Sequence, residues 1–288
     1  MDFLITLVNG LSLGGIYAMI ALGYTMVYGI AKMLNFAHGD IIMVGGYAIL
    51  VFLSVNPILA IAAAVVFCVI LGVVVEKVAY KPLRGASPLA VLITAIGVSY
   101  LLQSLALIIF GADPKYVIVA DLGNLVIGKL SIAWGTVITL ASTVVIMAAL
   151  SLFVKYSKTG RAMVAVSEDK DAARLMGINI NFIITITFAI GSALAALAGL
   201  FSLMNVPTIT PTYGALPGIK AFTAAVIGGI GSIPGAMLGG ILLGVVECLC
   251  NSIPVLNPYT IAIEFAILII ILLVKPTGFL GKKRREKV

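Results

Sequence analysis

Charge is scarce in this sequence. Only 10% of its 288 residues are Asp, Glu, Lys or Arg, against roughly 25% in a soluble domain. With 62% apolar residues, such a chain has no water-compatible surface to present in a cytosol. The bilayer is the solvent that suits it. Histidine occurs once, at His38, and cysteine three times, at Cys68, Cys248 and Cys250, with no Cys-x-x-Cys. That leaves neither a disulfide framework nor a metal site to build on. A Gly-x-x-x-x-Gly-Lys-Ser/Thr loop is also missing. Gly278-Phe279-Leu280-Gly281-Lys282-Lys283 is too short in its spacing and follows an apolar run, not a strand. The chain therefore lacks the means to hydrolyse ATP by itself. No nucleophile stands beside a base, so no catalytic residues are expected. No ladder of acids in the apolar runs suggests proton coupling, and no bound cofactor is expected. The start, Met1-Asp2-Phe3-Leu4, lacks the basic region of a cleaved signal, so the first apolar segment is expected to be retained.

What is present is a series of long apolar runs, with a mean hydropathy of +1.22. A helix crossing the hydrocarbon core needs about 20 mostly apolar residues. Such runs lie near Phe3–Gly29, Gly39–Val55, Pro57–Val75, Pro88–Phe110, Ile132–Val154, Phe182–Leu203 and Tyr259–Val274. A further apolar region, Pro217–Cys250, is interrupted at Gly231-Ser232-Ile233-Pro234-Gly235. The sequence predicts an all-α polytopic bundle of about 8–9 membrane segments, forming one transmembrane domain over residues 1–288.

The basic residues give a direction. Of the 18 Lys and Arg, 15 fall in one alternate set of loops and in the tail. Lys115, Lys129 and Lys220 are placed on the other side. The net charge of +7 thus reads as the positive-inside bias, with no call for a nucleic-acid partner. It puts residues 155–180 and the tail 276–288 in the cytoplasm and the N-terminus outside. Parity then requires Pro217–Cys250 to leave and return to one side. Each arm, at about 15 residues, would span roughly 22 Å, less than the core of about 30 Å. The reading is a re-entrant hairpin, with two short crossings as the alternative of equal parity.

Three groups of residues stand out. In the 155–180 loop, Ser167 to Gly177 reads as one short helix, with Ser167 as N-cap and Gly177 as C-cap. Glu168 and Asp169 lie in its first turn and Arg174 near its end, as the helix dipole favours. Ala172, Leu175 and Met176 share a face, with Ala173 between them. A small apolar face with a charged rim suits docking into a groove on another protein, or lying on the bilayer. Gly231, Gly235 and Gly239, and again Gly240 and Gly244, repeat at intervals of four. That spacing reads as close helix packing in lipid. The polar residues within apolar runs are Asn35 and His38 beside Asp40, and Glu247 and Glu264. Charge there is costly and often functional. Asn35, His38, Gly231, Ser232, Pro234 and Glu264 are the candidates for a solute pathway. For Glu247 and Glu264, snorkelling or a helix–helix contact is the alternative. For His38 it is a structural role.

Over nearly its whole length the sequence resembles the LivH-type permeases of branched-chain amino acid ABC importers. The resemblance runs through Leu34-Asn35-Phe36-Ala37-His38-Gly39-Asp40, Tyr80-Lys81-Pro82-Leu83-Arg84-Gly85 and Thr159-Gly160-Arg161-Ala162. It is densest from Ala221-Phe222-Thr223-Ala224-Ala225 to Gly231-Ser232-Ile233-Pro234-Gly235-Ala236. It implies a second, related permease, two cytoplasmic ATPase subunits that use ATP and Mg, and an extracytoplasmic binding protein. It also implies a bacterial inner-membrane location and a coupling role for Glu168 to Gly177. Relatives for urea and short amides form the alternative within transport. An ion-coupled secondary transporter is the alternative outside the family.

Overall fold

A computed structural model describes residues 2–120, 123–127 and 130–281. Lys129 and the basic tail beyond residue 281 lie outside the described residues. Among the described residues eleven α-helices carry the fold. They are α1 (Asp2–Ala31), α2 (His38–Leu53), α3 (Pro57–Val75), α4 (Pro88–Phe110), α5 (Trp134–Tyr156), α6 (Lys158–Glu168), α7 (Lys170–Leu175), α8 (Ile180–Asn205), α9 (Ala215–Gly228), α10 (Ile233–Ser252) and α11 (Thr260–Val274). Seven stretches among the described residues are long and apolar enough to cross a membrane, and α2 and α9 are shorter apolar helices. The chain is a multi-pass helical membrane protein.

Local chemistry sets the boundaries. The Asn56 side chain accepts from the N–H groups of Ile58 and Leu59, with Pro57 at the first position of α3. Ser87 before Pro88 does the same for α4. Between them α3 widens into a π-turn, Glu76–Tyr80, and a 3-10 turn, Lys81–Leu83. Two small antiparallel pairings lie outside the helices. β1 (Lys115–Tyr116) joins β4 (Thr208–Ile209), and β2 (Asn124–Ile127) joins β3 (Leu130–Ala133).

The heart of the bundle is α1 against α10, flanked by α8. Backbones touch there because the residues between them are small. A Cβ built on Gly14 would sit 2.7 Å from Ile241 Cα, and one on Gly10 would sit 2.9 Å from Val245 Cα. Gly240 faces Ala18 and Gly244 faces Gly14 across the same seam, while Gly239 faces Ala224 of α9 and Gly235 faces Gly228. Lipid offers no hydrophobic drive for helices to associate, so this close van der Waals approach is what holds them.

The interrupted region differs from the 15-residue arms expected. The break is confined to residues 229–232, and Gly229 and Gly231 take φ of 107° and 95° there. α10 then runs for 20 residues, long enough to cross. α9 has only 14 residues. Capping explains the asymmetry. The Ser232 hydroxyl accepts from Gly235 N–H, and Pro234 sits in the first turn of α10, so the proline, read as part of the interruption, starts a helix. The segment after α11 closes over the break. Phe279 N–H donates to the Ile227 carbonyl, and Leu280 N–H to that of Gly228, both at 2.9 Å.

Candidate functional site

Two helices begin inside the bundle instead of at its surface. α1 ends at Ala31, the chain turns back at Lys32 (φ 62°), and α2 starts at His38. His38 lies against Gly23, eight residues before the end of α1, and its ring stands edge-on to Tyr24 at 4.9 Å. α9 starts beside it. A Cβ on Gly39 would lie 2.5 Å from the Gly214 carbonyl and 3.2 Å from Gly218 Cα. Asn35, in the connecting turn, accepts a 2.8 Å bond from the Tyr80 hydroxyl. In α2, Asp40 accepts from the Gln103 amide of α4 at 2.9 Å. Asn35, His38 and Asp40 are all buried.

A second buried polar group joins α1, α9, α10 and α11. Lys220 Nζ lies 2.7 Å from Glu247 and 3.3 Å from Glu264, and the Tyr17 hydroxyl donates to Glu247 at 2.7 Å. This corrects the placing of Lys220 among the outer-side loop cations. Lys220 is a helical residue, 5% exposed, inside α9. Its two acidic partners come from different helices, so no sequence spacing brings the three together. Glu264, a pathway candidate, lies here at 1% exposure.

A third group surrounds Glu76, wholly buried where α3 widens. It is paired with Arg84 and accepts from the Thr185 hydroxyl at 2.9 Å, and Arg84 also reaches Asn181. Sequence reasoning passed over Glu76, although a lone acid ending an apolar run and an Arg eight residues on are a legible signal.

The segment read as one helix from Ser167 is two. α6 begins at Ser157, whose hydroxyl accepts from Gly160 N–H at 2.8 Å. Ser167 lies within α6 and donates back to the Val164 carbonyl at 2.7 Å. Asp169 breaks the helix with extended backbone and caps α7, accepting from Asp171 and Ala172 N–H at 2.9 and 3.0 Å. A carboxylate taking two amide protons is the stronger cap. Gly177, with φ of 79°, ends the unit, and Ile178 N–H returns to the Ala173 carbonyl. Ala173 is buried, whereas Leu175 and Met176 are 89% and 82% exposed, with Ala172 beside them also exposed. Lys170 donates to the last carbonyl of α1, that of Ala31, at 3.0 Å. Partial burial and then the Arg84 charge push the Lys170 ammonium below the usual lysine range, against the pull of Asp171. Gly231 shares a small cavity with Gly29, Met163 and Ser167, which puts the α9–α10 turn, with Ser232 and Pro234, at the same end of the bundle as α6.

No group of three or more His, Cys, Asp or Glu able to hold a metal occurs among the described residues. Lys220, Glu247, Glu264 and Tyr17 bind one another, as do Glu76, Arg84 and Thr185, and α7 presents an exposed apolar tip on a short, anchored helix.

Comparison with known proteins decides the family. Residues 6–272 match the family described as the permease component of branched-chain amino acid transport systems. The chain belongs to this family. The high-affinity branched-chain amino acid transport permease BraD of Pseudomonas aeruginosa is 43% identical, covering 99% of this chain and 98% of its own. LivH of Escherichia coli K12, with the same description, is 41% identical over the same shares. A probable LivH permease of Methanocaldococcus jannaschii is 29% identical, over 91% and 88%. As a permease of this family the chain is a transport subunit, and its buried ion pairs are read as parts of a transport scaffold.

Proposed function

We propose that this permease is the membrane-spanning subunit of an ATP-driven importer that moves leucine, isoleucine and valine across the bacterial inner membrane. It works beside a second, related permease, with two ATPase subunits docked on the cytoplasmic side and a binding protein delivering substrate from outside. The C-terminus is cytoplasmic and the N-terminus external. The identity to BraD over almost the full length of both chains supports the substrate class. The observation that carries the mechanism is α7. A six-residue helix exposes Leu175 and Met176 almost completely while Asp169 caps it and Lys170 ties it to the end of α1. An apolar tip on a braced lever suits insertion into a groove on an ATPase.

In this reading ATP binding draws the two ATPases together, and their grooves carry the α7 helices with them. The Lys170–Ala31 bond passes that movement to α1. α1 packs along α10 over glycines and leads into the turn that starts α2. The solute cavity thus changes the side it faces without chemistry in this chain. ATP and Mg belong to the partner subunits.

The reading is tested by uptake of labelled leucine in cells with and without the gene, with isoleucine, valine, urea and short amides as competitors. Loss of uptake on deletion, with competition by isoleucine and valine alone, is the expected result. Competition by urea or short amides would move the substrate class.

A further inference from the structure

The family reading leaves one cavity without a role. It has a volume of about 410 Å³ and lies between α4 and the chain just before α9, with Tyr100, Gln103, Ser104, Leu107, Thr210 and Thr212 in its wall. Its volume falls within the roughly 300–1,000 Å³ typical of small-molecule sites. It runs from just past the C-terminal end of α4, at Ala112, inward to Tyr100. Gln103 is seven residues before the end of that helix, about 10 Å at 1.5 Å per residue.

The wall is largely apolar, from Tyr100, Leu107, Ala112 and Pro211, and it carries four polar side chains. Ser104 and Thr212 are exposed, and Gln103 and Thr210 half-buried, on the outward face of this chain. Hydrocarbon against that face would leave the Gln103 carbonyl oxygen and three hydroxyls without partners, each at a cost of a few kcal/mol. The face therefore suits water or a polar solute better than lipid. Discontinuous helices are the usual frame of a transport site, and the cavity borders such a frame. Thr210–Thr212 leads into α9, and Gln103 holds Asp40 in the first turn of α2.

The chemistry of the wall narrows the solute. The Gln103 amide nitrogen donates to Asp40 Oδ1 at 2.9 Å and to Ser99 Oγ at 3.2 Å. A carboxylate oxygen only accepts, which fixes the orientation of the amide. Its carbonyl oxygen is left for the cavity, where it suits an ammonium group. The hydroxyls of Ser104, Thr210 and Thr212 can donate to a carboxylate. Tyr100 and Leu107 offer apolar surface for a side chain. No wall residue is charged. A zwitterion is thus satisfied at both ends yet held loosely, as passage requires.

We infer that this cavity holds the amino-acid substrate during its passage, with Gln103 toward the ammonium end and the hydroxyls toward the carboxylate. The inference rests on the importer reading and adds the residues that touch the solute.

The test uses Ser104→Cys and, as a second position, Thr212→Cys in the assembled importer, with a charged, water-soluble methanethiosulfonate as the probe. Cys68 and Cys250 are buried and Cys248 is half-buried, so the unsubstituted importer serves as the background. Uptake by each variant is compared before and after modification. Modification from the water phase is expected to cut leucine uptake at least tenfold. Saturating leucine should slow the modification several-fold, whereas aspartate should not. No reaction at either position, or complete reaction with uptake intact, overturns the site. If the unsubstituted importer takes up no leucine, isoleucine or valine, it is the importer reading that has failed.

Discussion

α8 and α4 are equal in mean hydropathy, yet 67% of the apolar window of α8 is buried inside the protein and only 11% of that of α4. α11 matches α4 in both respects. Hydropathy reports only that a helix belongs in a membrane. What sends α8 inside is its run of small residues, Gly191, Ser192, Ala195, Ala196, Ala198 and Gly199, all of them buried. They let α1, α2 and α3 approach its backbone. α4 and α11 turn Ile93, Ile108, Ile270 and Leu273 outward. The inner helices hold the structure. The outer ones, with α7, present faces to lipid and to other subunits.

The comparison predicts large effects inside and at α7, and small ones on the outer faces. The largest is functional. Ala172→Arg on the exposed side of α7 should leave insertion and folding intact and abolish substrate-stimulated ATP hydrolysis by the assembled complex. Normal stimulation in that variant would count against docking through α7. Among stability effects, Lys220→Met ranks first, because it leaves the buried Glu264 and the part-buried Glu247 without their cation. Breaking a buried pair costs about 3–5 kcal/mol, seen as lost monodisperse protein in detergent. The double variant Lys220→Met with Glu264→Gln should recover part of it. A double variant no better than the single would show that the cluster is not held by charge.

Next comes Gly244→Leu in the α1–α10 seam. Overpacking a close contact costs about 1–3 kcal/mol, and a lowered midpoint of thermal unfolding in detergent would register it. Asp169→Ala is expected to act locally. Loss of a cap costs about 1 kcal/mol, enough to speed hydrogen exchange at the Asp171 and Ala172 amides about fivefold. The smallest effect is expected at Ile108→Ser or Leu273→Ser, within about 0.5 kcal/mol in detergent. A drop at either position as large as that of Gly244→Leu would erase the division between inner and outer helices.

Much of this was legible in the residues. The bounds of α4 coincide with the apolar run Pro88–Phe110, because Ser87 and Pro88 mark its start and Gly111 its end. α3 likewise follows Asn56 and Pro57. The exposed face of Ala172, Leu175 and Met176 follows from spacing alone. The cap expected at Ser167 lies two residues on, at Asp169. Ser167 and Asp169 both suit a cap, and the helix extending back to Ser157 decides between them. Other features were hidden because they depend on which helices become neighbours. Lys220 reads as a loop cation until α10 and α11 bring Glu247 and Glu264 to it. Gln103 is not singled out in the sequence, since only the early start of α2 sets Asp40 beside it. That α2 and α9 begin within the bundle is equally invisible in hydropathy, since both are simply short apolar runs.

The most direct test of the account is leucine uptake into proteoliposomes holding this permease with its partner permease, ATPases and binding protein, with all ion gradients collapsed. The account predicts uptake that depends on ATP and persists without any gradient. Uptake that follows an imposed ion gradient and is indifferent to ATP would contradict it.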